Sequence, residues 1–231
     1  MATDPSVSII AIDGPSGSGK GTIARLTARS LRWHLLDSGA LYRLVGLAAQ
    51  RAGLAPDDIA AHAQVAANLN VRFAADARNE EQICLDGADV TGEIRTESCG
   101  ELASRVAAIP AVRTALLHRQ HAFAQPPGLV ADGRDMGTVV FPAAGLKIFL
   151  TATAEARAGR RHKQLKDKGL GVSLAALSRE IAERDQRDMS RPIAPLVPAD
   201  DAVLIDSTLM TIDAVVHQVL TLAAERFAAV R

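Results

Sequence analysis

The sequence constrains the fold most strongly where a mostly apolar run meets a glycine-rich turn that holds one lysine. The run is Val7 to Ile12, and the turn, from Gly14 to Thr22, reads Gly-Pro-Ser-Gly-Ser-Gly-Lys-Gly-Thr. Glycines let the backbone curl so that successive N–H groups face inward, where they can bind phosphate oxygens. A helix that begins near Lys20 adds the positive end of its dipole. The pattern Gly-x-x-x-x-Gly-Lys therefore predicts a buried strand, a phosphate-binding P-loop and a helix.

Two observations favour this interpretation over a plain tight turn between a strand and a helix. Residues 23–31 carry apolar side chains at helical spacing, which supplies the helix that a P-loop requires. Lysine occurs at only five positions, whereas arginine is plentiful. We therefore expect a triphosphate ligand, with Lys20 reaching its β- and γ-phosphates.

Composition and charge limit the possible partners. A formal net charge of zero argues against a nucleic-acid polymer or an anionic membrane surface as the main partner. No apolar run approaches the roughly 20 residues of a transmembrane helix, and residues 1–6 lack the features of a signal peptide. Cys84 and Cys99 have no CxxC spacing, so we expect two reduced thiols in a cytoplasmic protein.

Short apolar strands alternate with helical segments along most of the chain. This alternation predicts an α/β fold of three layers, with helices on both faces of a central parallel sheet. Thr211 is expected to cap a terminal helix whose apolar stripe comprises Ile212, Val215, Val216, Val219 and Leu220.

The pattern differs between residues 70 and 96, where strand-like segments flank Asp86-Gly87. This dipeptide is a strong signal for a two-residue hairpin. We therefore predict a P-loop core domain at 1–69 and 97–231 and a small antiparallel β insert at 70–96. The arginine- and lysine-rich segment at about 154–170 is predicted to be a helical lid.

Polar residues follow the predicted strands. Ligands of an open α/β sheet bind beyond the carboxyl ends of its strands, which places segments 14–22, 37–43, 132–137 and 206–208 on one rim. In the turn from Asp132 to Asp135, Asp132 is placed to hold Mg²⁺ directly or through water, and Arg134 to neutralise phosphate. The alternative for any rim residue is a cap or turn, and this alternative fits Asp206 and Ser207 well.

Arginines recur in the later helical segments. Arg157, Arg160 and Arg161 have a spacing that places them on one helix face, and Arg184, Asp188 and Arg191 follow. A solvated face is the usual interpretation of one such residue, but the set favours a cationic lid. Such cations are needed if the triphosphate transfers a phosphoryl group to an acceptor that is itself a phosphate, because the two anions repel each other. Unit charges about 4 Å apart repel by roughly 1 kcal/mol even in water.

A phosphate acceptor is already ionised, so the transfer requires no general base to remove a proton. The sequence shows no obvious candidate for such a base, which fits a phosphate acceptor.

Several motifs, all in one order, resemble those of the bacterial cytidylate kinases, which are nucleoside monophosphate kinases. They are Gly14–Thr22, Leu36–Arg43, Gly92–Arg95, Asp132–Gly137, Glu183–Asp188, Ala194–Pro198 and Asp206–Thr208. The resemblance runs from about residue 8 to the C-terminus. Gly21 departs from the general P-loop, which carries a Mg²⁺-binding hydroxyl there, but agrees with this family.

The resemblance implies that the protein phosphorylates CMP and dCMP with ATP and Mg²⁺, a reaction of pyrimidine metabolism. It also implies that the protein is a monomer. It implies catalytic roles for Lys20, Arg134, Arg184 and Arg191. The ATP-binding residues would be Gly14, Pro15, Ser16, Gly17, Ser18, Gly19, Lys20, Gly21, Thr22, Arg157 and Arg161. The CMP-binding residues would be Ser38, Arg43, Ser104, Arg113, Arg134, Asp135, Arg184, Asp188 and Arg191. Thr22 and Asp132 are the candidate metal ligands.

Two other functions share some of these features. One is a different small-molecule kinase on the same scaffold, of the adenylate or shikimate type, which a panel of acceptors would distinguish. The other is a GTP-dependent switch or nucleotide-binding regulator, but the sequence has no Asn-Lys-x-Asp motif for reading guanine.

Overall fold

The computed structural model describes residues 7–75, 81–167 and 171–228. The predictions made for residues 1–6, for the part of the insert at 76–80 and for the end of the lid at 168–170 lie outside the described residues. The chain divides into two compact units. The first comprises residues up to Asp37 and from Gln120 onward, and the second comprises Ser38–Arg119.

The described elements follow one another along the chain in a largely alternating order. They are β1 (Ile9–Asp13), α1 (Lys20–Leu31), β2 (His34–Asp37), α2 (Ser38–Arg51), α3 (Ile59–Ala67), β3 (Val71–Ala75), β4 (Glu81–Leu85), β5 (Ala88–Asp89), α4 (Glu97–Val106), α5 (Pro110–His121), β6 (Leu129–Gly133), β7 (Leu146–Thr151), α6 (Ala154–Asp167), α7 (Leu174–Met189), β8 (Val203–Asp206) and α8 (Ile212–Ala228). A 3₁₀ turn spans Glu93–Arg95, and a π-helix spans Met136–Val140.

The described strands of the first unit form a parallel sheet in the order β2-β6-β1-β7-β8. Its central strand β1 is buried throughout, which explains why its sequence is apolar up to Asp13. Ile10 and Ile12 pack in one core with α1 and α8, through side chains such as Ile23 and Val219. The predicted α/β class with a central parallel sheet is confirmed.

The register of this sheet brings polar strand ends together. Asp37 pairs with Asp132, and Asp13 pairs with Gly133, while Asp206 ends the outer strand opposite Thr151. Because all five strands are parallel, their carboxyl ends lie at one edge. The sequence-based expectation of a polar rim is therefore correct for the strand ends.

The second unit combines helices with an antiparallel sheet in the order β3-β4-β5. Asp86 and Gly87 connect β4 to β5 with φ of 51° and 83°, as a two-residue hairpin with two left-handed positions requires. The predicted hairpin is confirmed. The assignment of 70–96 as an insert, and of 154–170 as a lid, stays a prediction.

Helix ends differ from the sequence prediction in detail. The backbone N–H of Ala214 donates to Thr211 Oγ1 over 3.2 Å, so Thr211 caps α8 as predicted. The stripe of α8 starts one turn later than predicted, because Ile212 is 53% exposed whereas Val215 and Val219 are buried. Among the residues described, none of the helices is long and apolar enough to cross a membrane.

Candidate functional site

In the loop between β1 and α1, Gly14, Gly17 and Gly19 have positive φ, and the first two also pack closely against neighbouring residues. Gly14 has φ of 155°, and a Cβ there would lie 2.1 Å from the carbonyl oxygen of Leu150. Gly17 has φ of 76°, and a Cβ there would lie 3.2 Å from Arg157 Cβ. Side chains at these positions would collide with neighbouring strands and helices or strain the backbone. The strand–loop–helix arrangement that the sequence predicted is present, and α1 begins at Lys20.

Lys20 lies buried at the start of α1. Its Nζ donates to the backbone carbonyl of Pro15 over 3.1 Å. Burial, followed by the charge of Arg134, lowers the pKa of Lys20 to about 7, and the charge of Asp132 partly opposes this change. A bound polyanion would raise the pKa of Lys20 again, because additional negative charge nearby favours the charged ammonium.

Asp132 is the next-to-last residue of β6, and its carboxylate has room for a ligand. Its Oδ1 is buried and has no hydrogen-bond partner among the described residues. Burial raises the pKa of Asp132 to about 7, and its register partner Asp37 adds to the rise, while Lys20 and Arg134 oppose it. A Cβ on Gly21 would lie 3.0 Å from Asp132 Oδ2, so the missing side chain leaves space beside this carboxylate.

These features fit a site for a magnesium ion that takes only one or two ligands from the protein. Mg²⁺ typically uses one or two protein oxygens, with substrate phosphates and water completing the shell. No group of three or more His, Cys, Asp or Glu side chains in the described ranges could hold a metal ion. Asp132, whose Oδ1 has no hydrogen-bond partner among the described residues, could supply one such oxygen. Thr22 lies partly buried in the first turn of α1.

Arg134, Asp188 and Arg191 form a charge network in which Asp188 and Arg191 are buried and Arg134 is partly buried. Arg134 Nε donates to Asp188 Oδ2 over 2.8 Å, and Arg191 donates to Asp188 Oδ1. Burial opposes ionisation of Asp188, yet the two arginines together hold the pKa of this carboxyl below its usual value. Arg184 lies on the same helix as Asp188, and its charge acts on both Asp188 and Lys20. Of the predicted cations, Arg134 and Arg184 therefore lie close enough to Lys20 for their charges to act on it.

The arginines of α6 do not share one kind of partner. Arg157 and Arg160 each donate to carbonyls of the P-loop, at Ser16 and Ser18 respectively, over 2.9 Å and 3.2 Å. Arg161 instead donates to Gln164 on its own helix. Asp206, at the end of β8, accepts hydrogen bonds from the backbone and side chain of Thr208. This is the structural role in a turn that the sequence analysis gave as the alternative to ligand binding.

Asp13 is a site residue that sequence reasoning missed. Its two carboxylate oxygens accept hydrogen bonds from the backbone N–H groups of Met136 and Gly137, each over 2.8 Å. Burial raises the pKa of Asp13 to about 6, although these two hydrogen bonds oppose the rise. Asp13 therefore holds the start of the π-helix that follows Asp135. Its position between an apolar strand and a P-loop was the available signal.

Asp135 is buried in the first unit, and the second unit contains four further predicted residues. Ser38 is buried at the start of α2, and Arg43 Nη1 donates to the carbonyls of Ile94 and Thr96 over 2.6 Å and 2.9 Å. Ser104 Oγ is buried without a hydrogen-bond partner in the described part of the chain. Arg113 is buried, with its guanidinium carbon 5.7 Å from the centre of the Tyr42 ring.

Comparison with known proteins gives this arrangement its family. The family model described as cytidylate kinase matches residues 10–225. The chain belongs to the cytidylate kinase family. It is 60% identical over 216 residues to a cytidylate kinase of Pseudomonas aeruginosa (strain UCBPP-PA14), covering 93% of this chain and 94% of that protein. A cytidylate kinase of Aeromonas hydrophila is 56% identical over 218 residues, with 94% of each chain covered.

The family membership confirms the resemblance that the sequence motifs indicated, over almost the same range. A solved gluconokinase from Sinorhizobium meliloti 1021 aligns over 96% of this chain and 95% of its own, with 14% identity and a TM-score of 0.48. This distant likeness adds nothing to the family assignment, which rests on the sequence.

Proposed function

We propose that this protein transfers the γ-phosphoryl group of ATP to CMP or dCMP, giving ADP and CDP or dCDP. The observation that carries the proposal is the cytidylate kinase match over residues 10–225. The chemistry of the first unit supports it. A glycine-rich loop, a buried lysine, an open carboxylate and a set of arginines are the parts that phosphoryl transfer requires.

The donor end of the reaction belongs to the loop from Gly14 to Thr22. Its backbone N–H groups and the N-terminus of α1 bind the phosphates of ATP, and Lys20 leaves Pro15 to contact the β- and γ-phosphates. Asp132 and Thr22 would hold Mg²⁺, directly or through water. When bound, the metal neutralises charge on the phosphate oxygens. The contacts of Arg157 and Arg161 with ATP, and a lid at 154–170, stay predictions.

The acceptor is the phosphate of the nucleoside monophosphate. One of its oxygens attacks the γ-phosphorus while the bond to the β-phosphate oxygen breaks, and no proton must first be removed. Catalysis then depends on positioning and on charge, because the transition state spreads negative charge over the transferred group. Arg134, Arg184 and Arg191 supply the positive charge, and Asp188 orients two of them.

Roles in CMP binding for Arg134, Asp135, Arg184, Asp188 and Arg191, and for Ser38, Arg43, Ser104 and Arg113, stay predictions that rest on the motifs. The buried hydroxyl of Ser104 suits a nucleobase edge, because such a group costs free energy until it gains a partner. A monomeric state and a cytoplasmic location also stay predictions.

An acceptor panel tests the proposal. ADP release is measured with ATP alone and with CMP, dCMP, UMP, AMP or shikimate, using wild-type protein and a Lys20→Met control. CMP and dCMP are expected to give the highest kcat/KM, and the control is expected to be nearly inactive. A preference for UMP, AMP or shikimate would contradict the assignment of the acceptor.

A further inference from the structure

Arg157 uses most of the N–H groups of its guanidinium in hydrogen bonds with other residues of the protein. Nε donates to the carbonyl of Ala152 over 3.0 Å, and Nη1 donates to the carbonyl of Ser16 over 2.9 Å. Nη1 and Nη2 also contact the two carboxylate oxygens of Asp185 over 3.1 Å and 2.5 Å. Only 6% of the Arg157 side chain is exposed. Four of its five N–H groups can thereby be occupied, which leaves little capacity for a direct phosphate contact.

Asp185 links this arginine to the helix that carries the other charged groups. It lies on α7 directly after Arg184 and three residues before Asp188. Its carboxylate is 15% exposed, and the paired hydrogen bonds to Arg157 fix both position and orientation. One ion pair therefore joins the P-loop at Ser16 to the helix that holds Arg184 and Asp188.

The close fit of the loop against α6 is an independent observation. Gly17, the residue after Ser16, approaches so closely that a Cβ would meet Arg157 Cβ at 3.2 Å. One turn further along α6, Arg160 Nη1 donates to the carbonyl of Ser18 over 3.2 Å and to Ser207 Oγ over 3.1 Å. Two carbonyls of the P-loop are thus held from the same helix.

The planarity of the peptide bond gives these contacts a consequence for phosphate binding. In a trans peptide, the carbonyl oxygen of Ser16 and the N–H of Gly17 point in opposite directions. A guanidinium that holds the carbonyl on the α6 side therefore turns the Gly17 N–H away from α6. The same relation holds between the Ser18 carbonyl and the N–H of Gly19.

We propose that Arg157 and Asp185 are a positioning pair, which orients the P-loop N–H groups for the nucleotide phosphates and ties that loop to α7. The inference rests on the proposed function for the identity of the nucleotide. It gives Arg157 an indirect role in ATP binding, through the Ser16 carbonyl.

Direct measurement of ADP binding tests this pair without relying on turnover. Calorimetric titration with ADP and Mg²⁺ is carried out on wild-type protein, Arg157→Lys, Asp185→Asn and the double variant. Each single variant is expected to bind ADP about tenfold more weakly, and the double variant no more weakly than the worse single one, because both changes break one unit. Steady-state assays should show a larger rise in KM for ATP than for CMP in Arg157→Lys.

Asp201→Asn is the matched control. It makes the same chemical change in the same unit and removes the ion pair of Asp201 with Lys147, which spans 2.9 Å. It is expected to leave ADP affinity unchanged. If Asp185→Asn fails to fold, Asp185→Glu, which keeps the charge but shifts the carboxylate by one methylene, is titrated instead and is also expected to bind ADP more weakly.

The possible outcomes separate the inference from the proposed function. Folded Arg157→Lys and Asp185 variants with wild-type ADP affinity would overturn the positioning pair. The positioning pair would also be overturned if KM rose equally for ATP and for CMP while the thermal stability of the variants fell, since this result indicates only a role in folding. If wild-type protein does not phosphorylate CMP but the variants lose ADP affinity, the pair stands and the proposed acceptor is wrong.

Discussion

Arg134 donates a hydrogen bond from Nε to Asp188 Oδ2 over 2.8 Å, and the Asp188 side chain is only 1% exposed. The other oxygen of Asp188 accepts a hydrogen bond from Arg191. A single buried carboxylate thus holds two guanidinium groups in place before a phosphate binds. Without it, the two cations would repel each other and adopt other rotamers, so Asp188 lowers the free-energy cost of gathering positive charge at the site.

Replacement of Arg134 should separate catalysis from folding. Arg134→Ala is expected to lower kcat by roughly 10³-fold or more, because an arginine that stabilises the transferred phosphoryl group contributes that much in related chemistry. It should also cost about 1–3 kcal/mol of unfolding free energy, since Asp188 loses one of its two partners. Arg134→Lys, which keeps the charge, should fall between wild type and Arg134→Ala. CMP turnover and thermal melts measure the two effects, and wild-type turnover by a folded Arg134→Ala protein would refute the catalytic role.

Gly21 is expected to matter because it leaves room for Asp132. In Gly21→Ala the new Cβ would lie 3.0 Å from Asp132 Oδ2, so the carboxylate must shift. Activity should fall roughly ten- to hundredfold, because small displacements of a positioned group have effects of this size. The protein should stay folded, since alanine is favoured over glycine in a helix by up to about 1 kcal/mol.

Gly159→Ala is the matched control for this change. Gly159 lies in α6, and apart from its chain neighbours and the backbone of its own helix, no described atom lies within 4 Å of the position its Cβ would take. The substitution should raise stability by up to about 1 kcal/mol and leave CMP turnover unchanged. Equal activity in the two alanine variants would show that the space beside Asp132 is unimportant.

The pH dependence of stability should change direction near neutrality. Folding raises the pKa of Asp132 from 3.8 to about 7, so the folded state binds this proton more tightly. The contribution is complete below pH 3.8 and is lost as the pH rises through 7. Folding lowers the pKa of Lys20 from 10.5 to about 7, so its contribution is complete above pH 10.5 and is lost as the pH falls through 7.

Urea unfolding between pH 4 and pH 10 of wild type, Asp132→Asn and Lys20→Met measures these contributions as differences. The free energy of unfolding of Asp132→Asn relative to wild type should rise with pH on the acidic side, by an amount on the order of a few kcal/mol. That of Lys20→Met relative to wild type should fall by a similar amount as the pH rises on the alkaline side. Parallel profiles for all three proteins would mean that neither group has a shifted pKa.

Ser104→Ala should stabilise the protein and weaken CMP binding together. The buried hydroxyl has no hydrogen-bond partner within the described residues, so its removal should raise the unfolding free energy by up to about 1 kcal/mol. Loss of one hydrogen bond to the nucleobase should raise KM for CMP about three- to tenfold. Ser98→Ala, at an exposed position on the same helix, should leave KM for CMP unchanged. An unchanged KM for CMP in Ser104→Ala would exclude the serine from recognition.

Local patterns predicted the elements near the loop well. The helix after the loop begins at Lys20 and extends to Leu31, in agreement with the predicted start and with the helical spacing of residues 23–31. These signals are local, because a helix period or a buried strand is written in a few neighbouring residues. The π-helix at Met136–Val140 was not predicted, since the carboxylate that holds its first N–H groups belongs to Asp13, more than a hundred residues earlier.

The sequence by itself determined the family, the P-loop and the parallel sheet, because glycine positions, apolar periods and motif order are properties of the chain alone. The tertiary structure decided which charges meet. It paired Arg157 with Asp185 instead of exposing it, placed Asp188 between Arg134 and Arg191, and left an oxygen of Asp132 without a hydrogen bond from the residues described. The partner and the pKa of a charged side chain depend on distance and burial, and these arise only when strands and helices distant in sequence pack together.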